Sequence, residues 1–276
     1  MTDLPTISVV VADAPGGDLA ASLASIERER AAAPSEIEVL PVRAADARPG
    51  ALVPELWGIG MRRAASDVVA ITTSQFTPGA GWIAEMRRAH ARLTSAAIGG
   101  PILPPERPAL VDDATFFVRY GAYLGIGDEQ SLPDLAGDNA SYKRRVAVEH
   151  AGPAGFWEHE VHRALVVRGE ALTFVPAIQV TLRSSSGFLS FVRQRLAHGR
   201  LHGSERAASM DVLRRLLRAA AFPAIPLLMA RRALGRAGAR PELRGRFLRC
   251  LPIVLCFYTA WALGEAWGYA LPARRA

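Results

Sequence analysis

Two kinds of apolar pattern alternate through the first two hundred residues. Thr6–Ala12 ("TISVVVA") is a short β-branched block ending in turn residues, the pattern of a buried strand. The next segment, "GGDLAASLASIERER", repeats Leu19, Leu23 and Ile26 at helical spacing behind Asp18, a residue suited to capping the first free N–H groups of a helix. The alternation continues with "IEVLPV" as a strand, "ALVPELWGIGMRRAAS" as a helix and "DVVAIT" as a strand. Trp82, Ile83, Met86, Ala89 and Leu93 mark one face of another helix, and "AAIGGPIL" reads as a further strand. Pro104 to Pro133 reads as irregular. Beyond it the pattern predicts a helix from near Phe156 to Arg168 stopped by Gly169, strand structure in "LTFVPAIQVTL" broken at Pro176, and a helix in "SSSGFLSFVRQRLAHGR" with Phe188, Phe191, Val192 and Leu196 on one side. Strands alternating with helices define an α/β fold with a mostly parallel sheet. Ligands of such sheets bind at the carboxyl ends of strands, and "TTSQ", Thr72–Gln75, is one of those ends.

From about Glu205 the pattern changes. "RLLRAAAFPAIPLLMARRALGR" sets a short apolar stretch between arginine clusters, and a longer one follows whose uncharged core runs from Cys250 to Gly264 before Glu265. That core, as a helix, reaches roughly 22 Å against the ~30 Å of a bilayer's hydrocarbon. Extending it through Glu265 places a carboxyl group in lipid unless it faces protein. The segments therefore suit spanning, a re-entrant hairpin or the interface. Arginines 214, 215, 218, 231, 232, 244, 246 and 249 would stay at an anionic, cytoplasmic membrane surface. The expected organisation is residues 1–204 as an α/β domain and 205–276 as an Arg-rich, hydrophobic, membrane-associating helical region.

The net charge is +7 and Lys143 is the one lysine. Arginine forks fit phosphates, but the same bias arises from a GC-rich genome. The arginines are not interleaved with aromatics as a nucleic-acid platform requires. Cys250 and Cys256 form neither a CxxC pattern nor a disulfide framework. The N-terminus has no basic leader region and reaches a strand at once, so it reads as no signal peptide. Phosphate loops of the P-loop or dinucleotide type are absent from the sequence.

Four stretches, taken in order, resemble family 2 glycosyltransferases of GT-A fold over roughly Ile7 to Arg206. "ISVVV" precedes a helix containing "SLASI"; "DVVAITTSQFTPGAGWI" has the frame of the family's strand, Asp-x-Asp loop, Pro turn and Trp-led helix; "GDNASYKRR" is similar to its Gly-x-Asn-x-x-x-Arg-Arg segment beside the acceptor; and "FWEHEVHRALVVRGEALTFVP" resembles its acidic-motif helix, Gly turn and strand. The resemblance implies a GT-A-like, Rossmann-type sheet flanked by helices, followed by C-terminal hydrophobic helices. It also implies transfer of a sugar from a nucleotide-sugar donor to an acceptor, here a lipid, an envelope component or a secondary-metabolite precursor.

Such enzymes usually hold a divalent cation, Mg or Mn, on carboxylates. Counting back from Trp82, the family's Asp-x-Asp falls on Thr73, Ser74 and Gln75, and its late metal-binding His falls near Thr181–Leu182, where there is none. No metal ligand is therefore assigned, and the usual cation ligands are missing. Asp13 is the candidate for contacting the base of the donor, with Thr73, Ser74 and Gln75 lining the donor site. Arg193, Arg195 and Arg200 are the candidates for the diphosphate. Asp138 and Asn139 are candidates for acceptor or sugar hydroxyls. Glu158 stands where the family has its catalytic base, with His159 as the alternative. Glu158 and His162, one helical turn apart, could also act as a coupled pair. The rival expectation is a non-catalytic relative that keeps the fold as a binding or scaffold module at the membrane.

Overall fold

A computed structural model describes residues 4–106, 108–184, 187–208, 210–238 and 241–271. Its elements are β1 (Ile7–Ala12), α1 (Leu19–Arg30), β2 (Ile37–Val42), α2 (Val53–Arg63), β3 (Val68–Thr73), β4 (Phe76–Pro78), α3 (Trp82–Arg92), β5 (Ala97–Gly99), β6 (Ile102–Leu103), α4 (Leu110–Tyr120), β7 (Gln130–Ser131), β8 (Ala140–Lys143), α5 (Arg144–His150), α6 (Glu158–Val167), β9 (Leu172–Phe174), β10 (Val180–Leu182), α7 (Phe188–Ala207), α8 (Val212–Ala220), α9 (Ile225–Ala237) and α10 (Pro241–Ala270). They form two compact units, Met1–Glu106 with Ile126–Ser184, and Arg107–Gly125 with Ser185–Ala276. The division by compactness falls at Ser184, whereas the change in composition falls at Glu205. Ser185 and Ser186, in the stretch expected to open α7, lie outside the described residues.

The first unit is the α/β body. Its seven-stranded sheet has the order β2-β1-β3-β8-β5-β9-β7. β1 pairs in parallel with β2 and β3, and β5 with β9, while β8 runs antiparallel between β3 and β5. The sheet is thus mixed, and flanked by helices. The β-branched runs of β1 and β3 are buried throughout because both faces are covered. Asp18 caps α1 as its sequence position predicts, accepting from Ala21 N at 2.9 Å. Ser22 and Ser25 of α1 donate to the carbonyls of Phe76 and Pro78, which fixes α1 against β4. On α2, Leu56, Trp57 and Met61 enter the core. Gly60 is obligatory there, because a Cβ would stand 2.2 Å from a Val10 methyl.

"AAIGGPIL" is not one strand: β5 belongs to the large sheet and β6 to a three-stranded sheet ordered β4-β10-β6. The break falls at Gly100–Pro101, where a Gly100 Cβ would stand 2.0 Å from the Ile178 carbonyl. The stretch from Pro104 to Pro133 is not irregular throughout, because it contains α4. Asp112 accepts from Ala109 N at 3.1 Å and caps that helix, and Ala114, Phe116, Phe117 and Tyr120 are buried.

In the second unit α10 packs against α7, α4, α9 and α8. Gly199 and Gly203 of α7 meet Gly264 and Gly268 of α10 at backbone distance. A Cβ on Gly199 would lie 2.2 Å from the Trp261 carbonyl, and one on Gly264 would lie 2.1 Å from the Leu196 carbonyl. Two small-xxx-small pairs thus let the helices approach until side chains no longer separate them. Glu265 turns toward protein: Tyr269 Oη donates to it at 3.2 Å, and His202 Nε2 lies 4.0 Å away. Arg246 forms an ion pair with buried Asp113 of α4. Among the described residues α10, thirty residues long, is the helix long and apolar enough to cross a bilayer.

Candidate functional site

The sheet registers bring three chain segments to one edge. Ala12 aligns with Thr73 at the carboxyl ends of β1 and β3, and Ala140, which opens β8, aligns with both Ile71 and Gly99. Thr73–Gln75, the turn 137–139 and the loop after β1 therefore share this edge. α6 joins it because Gly137 packs on Glu158: a Cβ at 137 would stand 2.6 Å from Glu158 Cγ.

At the end of β3 the polar side chains turn inward. Thr73, Ser74 and Gln75 are all buried. Ser74 Oγ accepts from Ala14 N at 2.9 Å and lies 3.3 Å from both Asp13 Oδ1 and the Ala14 carbonyl. Gln75 Nε2 donates to the Pro15 carbonyl at 2.8 Å, and the Ser74 carbonyl accepts from Asp18 N at 2.8 Å. Gly17 sits directly on Ser74, where an added Cβ would stand 2.0 Å from Oγ. These residues latch the loop Asp13–Asp18 onto β3. Asp13 is only partly buried and belongs to the same latch.

A divalent cation does not fit this donor set. The Ser74 and Gln75 side chains are engaged with the loop backbone, and neutral oxygens do not offset a double charge. Among the described residues no group of three or more His, Cys, Asp or Glu is placed to hold a metal ion. Thr181–Leu182, where the resemblance would put a late His ligand, lie in β10.

Asn139 and Asp138 diverge. Asn139 is fully buried: its Oδ1 accepts from Trp82 Nε1 at 2.8 Å, and its Nδ2 donates to the carbonyls of Pro101 (3.1 Å) and Ile178 (2.8 Å). The "GDN" and Trp-led features are therefore two halves of one hydrogen bond. Asp138 is buried beside Glu158 and contributes negative charge to it.

Glu158 opens α6. Burial raises its pKa above the ordinary glutamate value, Asp138 adds to the rise, and neighbouring His159 opposes it. His159 Nε2 lies 3.9 Å from Glu158 Oε1, and its Nδ1 lies 3.1 Å from Asp134 Oδ2. The other oxygen of Asp134 meets His162 Nδ1 at 2.5 Å, and His162 Nε2 meets Tyr142 Oη at 2.8 Å. With Nδ1 donating to the carboxylate, Nε2 accepts from the phenol. Burial alone would raise the Asp134 pKa, but the hydrogen bonds from His159 and His162 outweigh it and hold that carboxyl well below the usual range. A hydrogen-bonded chain thus runs Tyr142–His162–Asp134–His159, with Glu158 3.9 Å beyond its end. Helical spacing suggested Glu158 with His162; the hydrogen bonds instead tie His162 to Asp134 and Tyr142. Sequence reading missed Asp134 because it stands in an irregular stretch with no periodic partner.

Arg193, Arg195 and Arg200 lie on α7 in the second unit. Arg195 is held between the rings of Phe191 (5.2 Å) and Trp261 (5.0 Å), and one of its terminal nitrogens is 3.0 Å from His198 Nδ1. Burial brings its pKa down to about 10, and the charge of Arg119 acts in the same direction. Arg200 stacks on Trp267 at 4.2 Å. Arg193 is exposed.

This architecture is a GT-A-like fold, a mixed sheet flanked by helices with a long apolar C-terminal helix. It is similar over 96% of the chain to the mannosyltransferase PcManGT from Pyrobaculum calidifontis, solved in complex with GDP-Man and Mn2+. The TM-score is 0.55 at 15% identity, with 88% of that protein covered. A weaker match, TM-score 0.43 at 12% identity, covers 77% of the chain and 53% of GalNAc-T7 with UDP, GalNAc and Mn2+. No protein-family model and no curated protein sequence matches the chain.

Proposed function

We propose that this chain is a family 2-like glycosyltransferase that moves a sugar from a nucleotide-sugar to a hydroxyl of a lipid, envelope or secondary-metabolite acceptor at the cytoplasmic face of the membrane. The observation that carries the reading is the half-buried carboxylate at the start of α6. Glu158 has a raised pKa and is backed by His159 and Asp134, at the sheet edge where such folds bind ligands. In the proposed reaction Glu158 takes the proton of the acceptor hydroxyl as that oxygen attacks the anomeric carbon and the nucleotide diphosphate leaves. His159, oriented by Asp134, spreads the charge that appears on the pair. Asp13 is the candidate contact to the donor base, and the donor diphosphate is held without the usual carboxylate-ligated cation.

The test is turnover of a nucleotide-sugar panel by the purified full chain, with and without manganese. Glu158→Gln should lower kcat by about 10²–10⁴-fold; unchanged turnover removes Glu158 from the role. The Ser74–Gln75 latch favours a second reading, a non-catalytic GT-A-like binding or scaffold protein, because it engages the polar groups at the end of β3 internally. Calorimetry that detects no nucleotide-sugar binding under any condition would select that reading.

A further inference from the structure

The second unit carries an amphipathic helix turned against the usual direction. In α8, Val212, Leu213, Leu216, Leu217 and Ala220 share one side, while Arg214, Arg215 and Arg218 share the other. No residue of α8 is buried, and Leu213 and Leu217 are 67% and 63% exposed. The roll of the helix is fixed by its arginine side: Arg215 donates to the carbonyls of Tyr269 (2.9 Å) and Ala270 (3.2 Å) at the end of α10. That bond faces charge to protein and leucine outward. On α9, Leu227 and Leu228 are exposed as well. Between Asp211 and Glu242 the chain has seven arginines and no Asp or Glu.

We infer that the leucine face of α8 is a docking surface for an anionic phospholipid bilayer. On this inference the helical unit lies in the interface and α10 serves as its internal axis. The charge pattern selects the occupant. A second copy of this chain would bring the same arginines against these, whereas phospholipid headgroups supply negative charge around an apolar floor. α10 has the surroundings of such an axis, with α7 at backbone distance on one side and Arg246 paired to Asp113 of α4. Leu213 and Leu217 enter the acyl boundary, while Arg214 and Arg218 stay at headgroup level.

This inference rests on the membrane location proposed above, and one experiment separates the two. Full-length protein is sedimented with vesicles of phosphatidylcholine alone or mixed with phosphatidylglycerol, at about 0.1 and 0.5 M salt. Three proteins are compared: wild type, Leu213→Ser/Leu217→Ser and Arg214→Gln/Arg218→Gln. The expected result is wild-type binding to the mixed vesicles, at least a tenfold weaker partition for the leucine variant with an unchanged thermal melt, and a reduced salt dependence for the arginine variant. Wild-type binding that the leucine variant matches overturns the α8 surface and leaves membrane location standing. Absence of wild-type binding to either vesicle overturns both. A wild-type dimer in gel filtration that the leucine variant abolishes, with no change in vesicle binding, assigns the face to a second copy instead.

Discussion

Gln75 stands where the resemblance places the second acid of Asp-x-Asp, and Ser74 at its middle position. The Gln75 amide donates to the Pro15 carbonyl, and the Ser74 hydroxyl is taken up by the Ala14 amide and its neighbours. The sequence showed the missing acid. That the replacement ties down a loop depends on residues sixty positions away and needed the fold. Gly17→Ala should destabilise the protein by about 1–3 kcal/mol in urea melts, because its Cβ would collide with Ser74 Oγ. The paired change Gly17→Ala/Ser74→Ala should recover part of that loss. His90 offers a pH-dependent case. Burial, reinforced by Lys143, lowers its pKa from 6.5 to about 4, and its Nε2 bonds to Ser141 Oγ at 2.9 Å. The folded state therefore keeps His90 neutral where the unfolded state takes up a proton. Its contribution to stability is present above pH 6.5 and is lost as the pH falls from 6.5 toward 4. Urea melts at pH 7 and pH 5 should show this loss, and His90→Gln should flatten it. Glu158 has the opposite sign: its raised pKa means that base-dependent turnover climbs with pH through a midpoint above 4.5. A kcat profile with its acid limb at or below that value contradicts the assignment.

Among elements, periodicity served the helices and strands that bury one regular face. α1, α2, α3 and α6 lie where spacing placed them, because each has its own cap or stop signal: Asp18 for α1, Pro54 in the first turn of α2, Gly81 before α3, and Gly169, with a positive φ of 77°, after α6. α4 was hidden by the prolines and glycines around it. β8 was hidden because four residues, "ASYK", are too few to establish an alternation, and its place between β3 and β5 is a matter of pairing. The glycine pairs of α7 and α10 were also unread, since a small residue gives no signal until its partner helix is known. Gly264→Val should push α10 off α7, with a loss on the order of 3 kcal/mol, and it should broaden the thermal transition. Gly245→Ala on the same helix meets nothing within 4 Å and should not reduce stability.

For the molecule as a whole, the candidate site is an edge assembled from four stretches of chain. Ligand binding at that edge stabilises the folded state by RT ln(1 + [L]/Kd), about 2.7 kcal/mol at a hundredfold excess over Kd. A nucleotide-sugar should therefore raise the melting temperature of the full chain. The donor set at the end of β3 predicts that manganese adds little to that rise. A manganese-dependent rise of equal or greater size would mean that other residues supply the ligands. Asp134→Ala bears on the same edge by another route. It leaves the buried Nδ1 of His162 without its acceptor, at a cost of about 1–3 kcal/mol. It also removes the carboxylate that His159 Nδ1 meets at 3.1 Å, a change in ring environment that NMR chemical shifts can follow without any substrate.

The sequence by itself determined the alternating α/β body, the Arg-rich apolar C-terminal region and the loss of acids inside an otherwise familiar frame. Each of these is written in local periodicity or in residue type at a fixed spacing. The tertiary structure decided what spacing along one chain cannot encode. It paired Trp82 with Asn139, gathered Asp134, His159, His162 and Glu158 into one network, and turned the leucines of α8 outward. The physical reason is the same in each case. A hydrogen bond or packed face is a relation between two positions, and its partner is set by strand register and helix roll.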